Sequence, residues 1–225
     1  METTYLVAKG ILKPWLATWF RWHVEGLDHL PRRGPAIVAF NHIAYLDPLV
    51  AAYVIDEAGR VPRFLAKAEL FRDRRIAWVL RGAKQIEVRR GTPEAPMALD
   101  RAVDALARGE VVVIFPEGTI THDPDLRPMA ARSGLARLAL SCEAPVVPGA
   151  IWGTHNVWPK DARARWMPRQ DILVRIGEAF RVTGDPDSPR DWKAVGEEVM
   201  AAIASLTASL RPAVPDRRRT RSPAA

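Results

Sequence analysis

Residues 36–40 have the sequence Ala-Ile-Val-Ala-Phe and carry no polar side chain. A short, uniformly apolar run of this kind is typical of a strand that is buried on both faces of a parallel sheet. The turn-like segment 30–35, Leu-Pro-Arg-Arg-Gly-Pro, precedes the run, and Asn-His follows it. We therefore predict a central strand at 36–40, with functional side chains just beyond its carboxyl end.

Further apolar runs and helical patterns alternate along the rest of the chain. The sequence predicts strands at 63–66, 85–88, 111–115, 146–152 and 172–176. It predicts helices at 96–108, 133–142 and 191–210. This alternation predicts an α/β fold, a single layered domain in which helices flank a mostly parallel or mixed central sheet.

Composition fits one intracellular domain with a basic end. The chain has 225 residues, of which 48% are hydrophobic, enough to build one substantial core. The only cysteine is Cys142, so no intrachain disulfide can form and a reducing compartment fits best. Much of the net charge of +7 lies in residues 211–225, which we predict to be a disordered basic tail. Since the body is only mildly basic, no nucleic-acid partner is predicted.

The N-terminal segment has the pattern of an amphipathic helix. Over residues 5–22, apolar side chains recur every three or four positions, with Lys9, Lys13 and Arg21 between them. Pro14 would kink this helix or start a new one. Tryptophans beside basic residues suit the headgroup region of a membrane, although a helix packed on the core would share the pattern.

These features divide the chain into an N-terminal membrane-associating segment (1–24), a main domain (25–210) and the tail (211–225). A spanning helix is not predicted, because no run of about 20 apolar residues occurs. We therefore expect a peripheral or monotopic protein on the cytoplasmic face of the cell membrane.

A histidine and a carboxylate follow the first predicted strand, in Asn41-His42-Ile43-Ala44-Tyr45-Leu46-Asp47. If a helix starts at 44–46, Asp47 can return to the imidazole and keep one ring nitrogen protonated, which leaves the other as a base. That pair would be two thirds of a catalytic triad, without its nucleophile. The alternative is a half-buried histidine that merely pairs with a neighbouring carboxylate.

A second motif, Phe115-Pro116-Glu117-Gly118-Thr119, follows the predicted strand at 111–115. Its carboxylate, glycine and hydroxyl could bind a hydroxylated or anionic ligand at the end of the strand. An ordinary turn would also explain the proline and the glycine.

Together the two motifs resemble the lysophosphatidic acid acyltransferase family of the glycerolipid acyltransferase superfamily. The family's marks are Asn-His, four further residues and Asp, and then Phe-Pro-Glu-Gly-Thr. The stretches 82–91 and 144–153 resemble its third and fourth motifs, in the expected order. The chain departs from many relatives at 120–121, where Ile-Thr stands in place of Arg-Ser.

The resemblance implies transfer of a fatty acyl group from acyl-CoA or acyl carrier protein to the free hydroxyl of 1-acylglycerol-3-phosphate. His42 would be the base and Asp47 its partner, with no other cofactor and no metal. Substrate-binding positions would be Asn41, Lys67, Arg90, Phe115, Pro116, Glu117, Gly118 and Thr119. Arg90, or the adjacent Arg89, would meet the acceptor's phosphate.

Three further expectations concern single residues of the site. Lys67 or backbone donors near Gly118 would hold the oxyanion, and Glu117 would position the glycerol hydroxyls. Because the chain has no Gly-x-Ser-x-Gly motif and Cys142 lies far along it, no acyl-enzyme is expected. His122, with Asp123 and Asp125, lacks a second histidine at metal-ligand spacing.

Other functions remain open from the sequence. The acceptor could be another lysophospholipid or a lyso-aminolipid, or the same dyad could activate water in a hydrolase. A noncatalytic module could bind anionic lipid or nucleic acid through the arginines of 71–76 and the tail.

Overall fold

The computed structural model describes residues 3–89 and 95–216. In this part of the chain, seven strands form one sheet. The strands are β1 (Phe20–Glu25), β2 (Ala36–Phe40), β3 (Pro62–Lys67), β4 (Ile86–Val88), β5 (Val111–Ile114), β6 (Val146–Trp152) and β7 (Gln170–Ile176). The strand order is β1-β7-β6-β2-β5-β3-β4, and only β6 and β7 pair antiparallel. The predicted α/β fold with a mixed central sheet is thus confirmed.

Helices cover both faces of the sheet. They are α1 (Thr3–Trp19), α2 (Asp47–Glu57), α3 (Arg74–Gly82), α4 (Ala95–Ala107), α5 (Ser133–Leu140) and α6 (Pro189–Leu210). Alternate residues of β2 face opposite layers. Val38 and Phe40 join the core cluster on the α1 and α2 side, whereas Ile37 and Ala39 join the cluster on the α4, α5 and α6 side. Because β2 lies between β5 and β6, its carboxyl end is at the centre of the sheet edge that carries the motifs.

The N-terminal helix is shorter than predicted. It ends at Trp19, with Pro14 inside it, and residues 20–25 continue as the edge strand β1, paired with β7. The prediction of helix to residue 22 is therefore wrong, because the pairing with β7 outweighs the helical pattern. Trp22 stacks on Tyr53, with 4.0 Å between ring centroids. The predicted boundary after residue 24 falls inside a strand of the main sheet.

Ion pairs attach α1 to α2. The ammonium nitrogens of Lys9 and Lys13 each lie 2.6 Å from a carboxylate oxygen of Asp56. Arg21 likewise pairs with Asp171, with Nε and Oδ1 3.1 Å apart. The structure therefore turns these three basic side chains toward acidic groups of the protein, contrary to the expectation that they face lipid headgroups.

The remaining differences from the predicted elements are local. Helices α2 and α3 were not predicted, and α2 begins at Asp47 rather than within 44–46, which form a turn. Residues 211–216 are not a free tail, since the Trp152 indole donates a hydrogen bond to the Val214 carbonyl at 2.8 Å. The rest of the predicted tail, 217–225, lies outside the described residues. In the described ranges, no helix is both long and apolar enough to cross a membrane.

Candidate active site

His42 and Asp47 form a hydrogen-bonded pair just beyond the end of β2. The Nδ1 atom of His42 lies 2.9 Å from Oδ2 of Asp47. The same oxygen accepts the backbone N–H groups of Ile43 at 2.6 Å and Ala44 at 2.8 Å. Because these amides can only donate, Oδ2 acts as a hydrogen-bond acceptor. Nδ1 of the neutral imidazole must then carry its proton, which leaves Nε2 with a free lone pair.

The two side chains differ in their access to solvent. The Asp47 side chain is fully buried, whereas that of His42 is 16% exposed. Asp47 is also the first residue of α2, where the partial positive charge of the helix N-terminus favours a carboxylate. A substrate can therefore reach the imidazole while its carboxylate partner stays shielded from water.

Aromatic rings fix the orientation of the imidazole. The Phe115 ring stacks on His42, with centroids 4.5 Å apart and planes 29° apart. Phe64 stacks behind Phe115 at 6.5 Å. This stack restricts rotation of His42 and brings the first two motifs into direct contact, as the parallel pairing of β2 with β5 predicts.

Glu117 faces inward and fastens the backbone of the histidine loop. Only 2% of the residue is exposed. One carboxylate oxygen accepts the His42 N–H at 2.9 Å, and the other accepts the Met129 N–H at 3.0 Å. Burial raises the pKa of Glu117 to about 7. This differs from the expected contact with glycerol hydroxyls, because both oxygens are engaged inside the protein.

Asn41 is also turned away from a substrate. It is fully buried, and its side-chain amide donates to the Ile151 carbonyl at 3.0 Å. Its side-chain oxygen accepts the Ile151 N–H at 2.7 Å. The side chain thus continues the pairing of β2 with β6 by one step, which makes Asn41 a brace for the loop rather than the expected ligand contact.

The remaining residues of the second motif have mixed exposure. Gly118 has a positive φ of 73°, which favours glycine, and its N–H donates to the Phe115 carbonyl at 2.9 Å. That amide is therefore engaged within the turn, contrary to its expected role for an oxyanion. Pro116 is buried, while Phe115 and Thr119 are half-buried.

Lys67 lies at the same edge of the sheet. It is the last residue of β3 and is exposed. Because Phe64 pairs with Val113, extending that parallel register places Lys67 level with Pro116. Lys67 therefore ends its strand at the same edge of the sheet as the second motif.

Only one of the two arginines expected to bind phosphate lies within the described residues. Arg90 lies outside the described residues. Arg89 is described and exposed, and its Nε lies 3.0 Å from a carboxylate oxygen of Glu87. Of the two candidates, Arg89 thus has an acidic partner within the protein.

Thr154 joins the pair from a distant part of the chain and was not predicted. Its hydroxyl lies 2.6 Å from Oδ1 of Asp47, and both residues are fully buried. Since 107 residues separate the two, no local spacing could have revealed this contact.

Neither a cysteine nucleophile nor a metal ligand set adjoins the pair in the described ranges. The Cys142 thiol donates to the Leu138 carbonyl at 3.0 Å, and burial raises its pKa. Asp123 accepts the Asp125 N–H at 2.7 Å, an ordinary local turn. No group of three potential ligands is found among the described residues.

A family model described as Acyltransferase matches residues 21–152, which include the pair and the second motif. The chain belongs to this acyltransferase family. The resemblance drawn from the motifs is thereby confirmed.

Two curated relatives of this acyltransferase carry specific names. A chloroplastic 1-acyl-sn-glycerol-3-phosphate acyltransferase of Brassica napus is 28% identical over 142 residues, 62% of this chain and 40% of the relative. A lyso-ornithine lipid O-acyltransferase of Pseudomonas aeruginosa is 31% identical over 150 residues, 66% of this chain and 55% of the relative. The chain therefore spans about half the length of these relatives or less.

A solved structure shows the same fold. The crystal structure of a 1-acyl-sn-glycerophosphate acyltransferase from Thermotoga maritima superposes with a TM-score of 0.66 at 26% identity. The superposition covers 90% of this chain and 79% of the other. The layered sheet is thus shared along nearly the whole chain.

Proposed function

We propose that this acyltransferase moves a fatty acyl group from acyl-CoA or acyl carrier protein to the free hydroxyl of 1-acylglycerol-3-phosphate, forming phosphatidic acid. The observation that carries the proposal is the pair of a buried Asp47 and a partly exposed His42, 2.9 Å apart at the carboxyl edge of the sheet. The Brassica napus and Thermotoga maritima proteins, named for this type of acceptor, support the choice of substrate.

In the proposed reaction, the nucleophile is the acceptor itself. Nε2 of His42 takes the proton of the acceptor hydroxyl while that oxygen attacks the thioester carbonyl. Asp47 stabilises the imidazolium that forms. The tetrahedral intermediate then collapses, the carbon–sulfur bond breaks, and the imidazolium proton passes to the departing thiolate. No acyl-enzyme forms, in keeping with the engaged thiol of Cys142.

Other residues bind the substrates or hold the loop. We assign the oxyanion to Lys67 and the acceptor phosphate to Arg90, a charge-assisted contact suited to the planar guanidinium group. The half-buried side chains of Phe115 and Thr119 adjoin the reacting groups. Glu117 acts here through its hydrogen bond to the His42 backbone rather than on substrate.

A lyso-aminolipid is the second candidate acceptor, and two observations favour it. The Pseudomonas aeruginosa relative is named for lyso-ornithine lipid. At positions 120–121, where many relatives have Arg-Ser, this chain has buried Ile120 and Thr121, and the threonine hydroxyl donates to the Arg127 carbonyl at 2.9 Å. This stretch therefore supplies no cation for a phosphate.

We further propose that the protein works as a peripheral protein on the cytoplasmic leaflet. Helix α1 exposes large apolar side chains, with Leu6 43%, Val7 47% and Ile11 68% exposed. Trp78, on the adjoining helix α3, is 55% exposed. We call these four residues the apolar surface. A lipid acceptor and product that are poorly soluble in water require such access to a membrane.

An acyl-transfer assay with two acceptors tests the proposal. The purified protein is incubated with an acyl thioester and vesicles that contain 1-acylglycerol-3-phosphate, lyso-ornithine lipid or neither, and both thiol release and lipid masses are measured. Acceptor-dependent thiol release with phosphatidic acid as product supports the first acceptor, and an acylated aminolipid alone selects the second. Thiol release without an acceptor indicates a hydrolase. No thiol release under any condition contradicts the proposed enzymatic activity.

A further inference from the structure

The Asp47 carboxylate accepts hydrogen bonds on both of its oxygens. Oδ2 accepts from Nδ1 of His42 and from the backbone amides of Ile43 and Ala44. Oδ1 accepts from the Thr154 hydroxyl at 2.6 Å. Oδ2 thus receives three donors, all from the histidine loop itself. The donor to Oδ1 comes from a different part of the chain, the turn that follows β6.

The backbone conformation after β6 places Thr154 next to Asp47. It begins the short 3₁₀ helix Thr154–Asn156 directly after β6, and its side chain is fully buried. The preceding Gly153 has a φ of 96°, and a Cβ there would lie 2.2 Å from the Asp171 carbonyl oxygen. Only glycine fits this turn, and the turn sets the hydroxyl against Asp47.

We propose that Thr154 is a positioning residue for the reaction, resting on the function proposed above. Its hydroxyl fixes the rotation of the Asp47 carboxylate, so that Oδ2 stays aligned with the imidazole of His42. Without that donor, Oδ1 would lose the hydrogen bond from Thr154 while staying buried, and the carboxylate would rotate to find another donor. The turn after β6 thereby acts on the base through Asp47, without touching a substrate.

Two substitutions separate positioning from packing. Thr154→Val keeps the shape of the side chain and loses the hydroxyl, whereas Thr154→Ser keeps the hydroxyl and loses a methyl group. Positioning predicts a fall in kcat of about tenfold or more for the valine variant, with KM for both substrates nearly unchanged, and a kcat close to wild type for serine. If Thr154 only packs against its neighbours, kcat should instead be close to wild type for the valine variant and lower for the serine variant.

Thr207 supplies a matched control. It is 1% exposed, and its hydroxyl donates to the Ile203 carbonyl at 2.8 Å within α6 rather than to Asp47. Thr207→Val removes an equally buried hydroxyl and should leave kcat unchanged. A loss of kcat in Thr207→Val equal to that in Thr154→Val would mean that the loss of any buried hydroxyl slows the enzyme, and would overturn the proposal.

A double-mutant cycle with Asp47→Asn adds a readout that packing would not move. If Thr154 acts through the carboxylate, the double variant Asp47→Asn, Thr154→Val should be no slower than Asp47→Asn alone. The acid limb of the kcat/KM profile against pH should also move in Thr154→Val and return in Thr154→Ser. Additive losses in kcat, or an unmoved pH profile, would contradict the proposal.

The outcomes remain informative if the valine variant does not fold. Thr154→Ala and Thr154→Ser both lack the methyl group, so a kcat about tenfold lower for alanine supports positioning, and equal kcat values overturn it. Failure of the proposed function is recognised separately, because it would show as absent transfer by the wild type or as unchanged transfer by His42→Ala. Transfer by the wild type that is lost in His42→Ala and kept in Thr154→Val refutes the role of Thr154 alone.

Discussion

In the loop 41–47, the polar side chains are buried or nearly so and are hydrogen-bonded from several elements, whereas helix α1 turns Val7 and Ile11 outward. The loop is fastened by Glu117 from beyond β5 and by Thr154 from beyond β6. The proposed chemistry on a thioester requires atoms held to a fraction of an ångström, which many partners of the loop provide. The proposed attachment to a membrane requires only exposed apolar area, which α1 provides with few partners.

The largest expected effect tests the loop. His42→Ala should lower kcat by about 100-fold to 10,000-fold, because it removes the general base. Vesicle flotation should match the wild type, and the protein should stay folded, since the His42 side chain is partly exposed and Asp47 keeps its donors from Ile43, Ala44 and Thr154. Retention of more than about a tenth of the wild-type rate would refute the assignment.

The pH dependence of stability tests whether Glu117 holds the loop as a buried carboxyl. Its pKa is raised to about 7 from 4.5, so its contribution to stability is full below pH 4.5 and is lost as the pH rises toward 7. The loss amounts to about 3 kcal/mol, at roughly 1.4 kcal/mol per pKa unit. The free energy of unfolding, measured with urea at pH 5 and at pH 8, should therefore decrease less in Glu117→Gln than in the wild type.

The exposed Glu143 provides the control for this measurement. Glu143→Gln should keep the wild-type decrease between the two pH values. Equal decreases in Glu117→Gln and the wild type would show that the carboxyl of Glu117 ionises as it would in water. In the transfer assay, Glu117→Gln should also lower kcat, because an amide oxygen can replace only one of the two acceptors for backbone N–H groups.

The next prediction tests whether an arginine outside the loop 41–47 binds the acceptor's phosphate. Arg90→Ala should raise KM for 1-acylglycerol-3-phosphate by about 10-fold to 150-fold, the equivalent of about 1.5 to 3 kcal/mol, and leave KM for the thioester nearly unchanged. Arg89→Ala is the matched control, since Arg89 pairs with Glu87. The opposite result, with the large effect in Arg89→Ala, would move the phosphate contact by one residue.

The smallest expected effect tests helix α1. Deletion through residue 21 would remove Leu16 and Phe20 from the core, so a single surface substitution is the sharper probe. Ile11→Ser should weaken binding to anionic vesicles by about tenfold and leave kcat on detergent-dispersed acceptor unchanged. Met97→Ser, at a residue 51% exposed on the other face of the sheet, should float as the wild type does. Equal flotation of all three proteins would place the docking surface elsewhere.

The predictable part of the site was its local part. The spacing of His42 and Asp47 within one loop, and the strand before it, were enough to predict their hydrogen bond. The orientations of Asn41 and Glu117 were not predictable, because each depends on a backbone group supplied by another element. A polar residue next to His42 in the sequence can face a substrate or the protein interior, and the motif has the same residues in both cases.

The N-terminal segment shows the same limit for the fold. The helical periodicity of residues 5–22 was real as far as Trp19, but the six residues of β1 became a strand because β7 offers them a parallel ladder. The sequence positions of Lys9 and Lys13 suit contact with lipid headgroups, but in the structure both ammonium groups pair with the carboxylate of Asp56. A sequence pattern indicates which residues can lie on the same face of a helix or strand. The partner that packs against that face comes from elsewhere in the chain.

The sequence by itself determined the layered α/β class, most strands and helices, the family and the pairing of His42 with Asp47, because all of these rest on periodicity and on groups a few residues apart. The tertiary structure alone decided that β1 closes one edge of the sheet, that Glu117 faces inward, and that Thr154 completes the hydrogen bonds of Asp47. These contacts join residues far apart in the chain. The pairing with β7 places β1, and the packing of β2 between β5 and β6 brings Glu117 and Thr154 to the histidine loop.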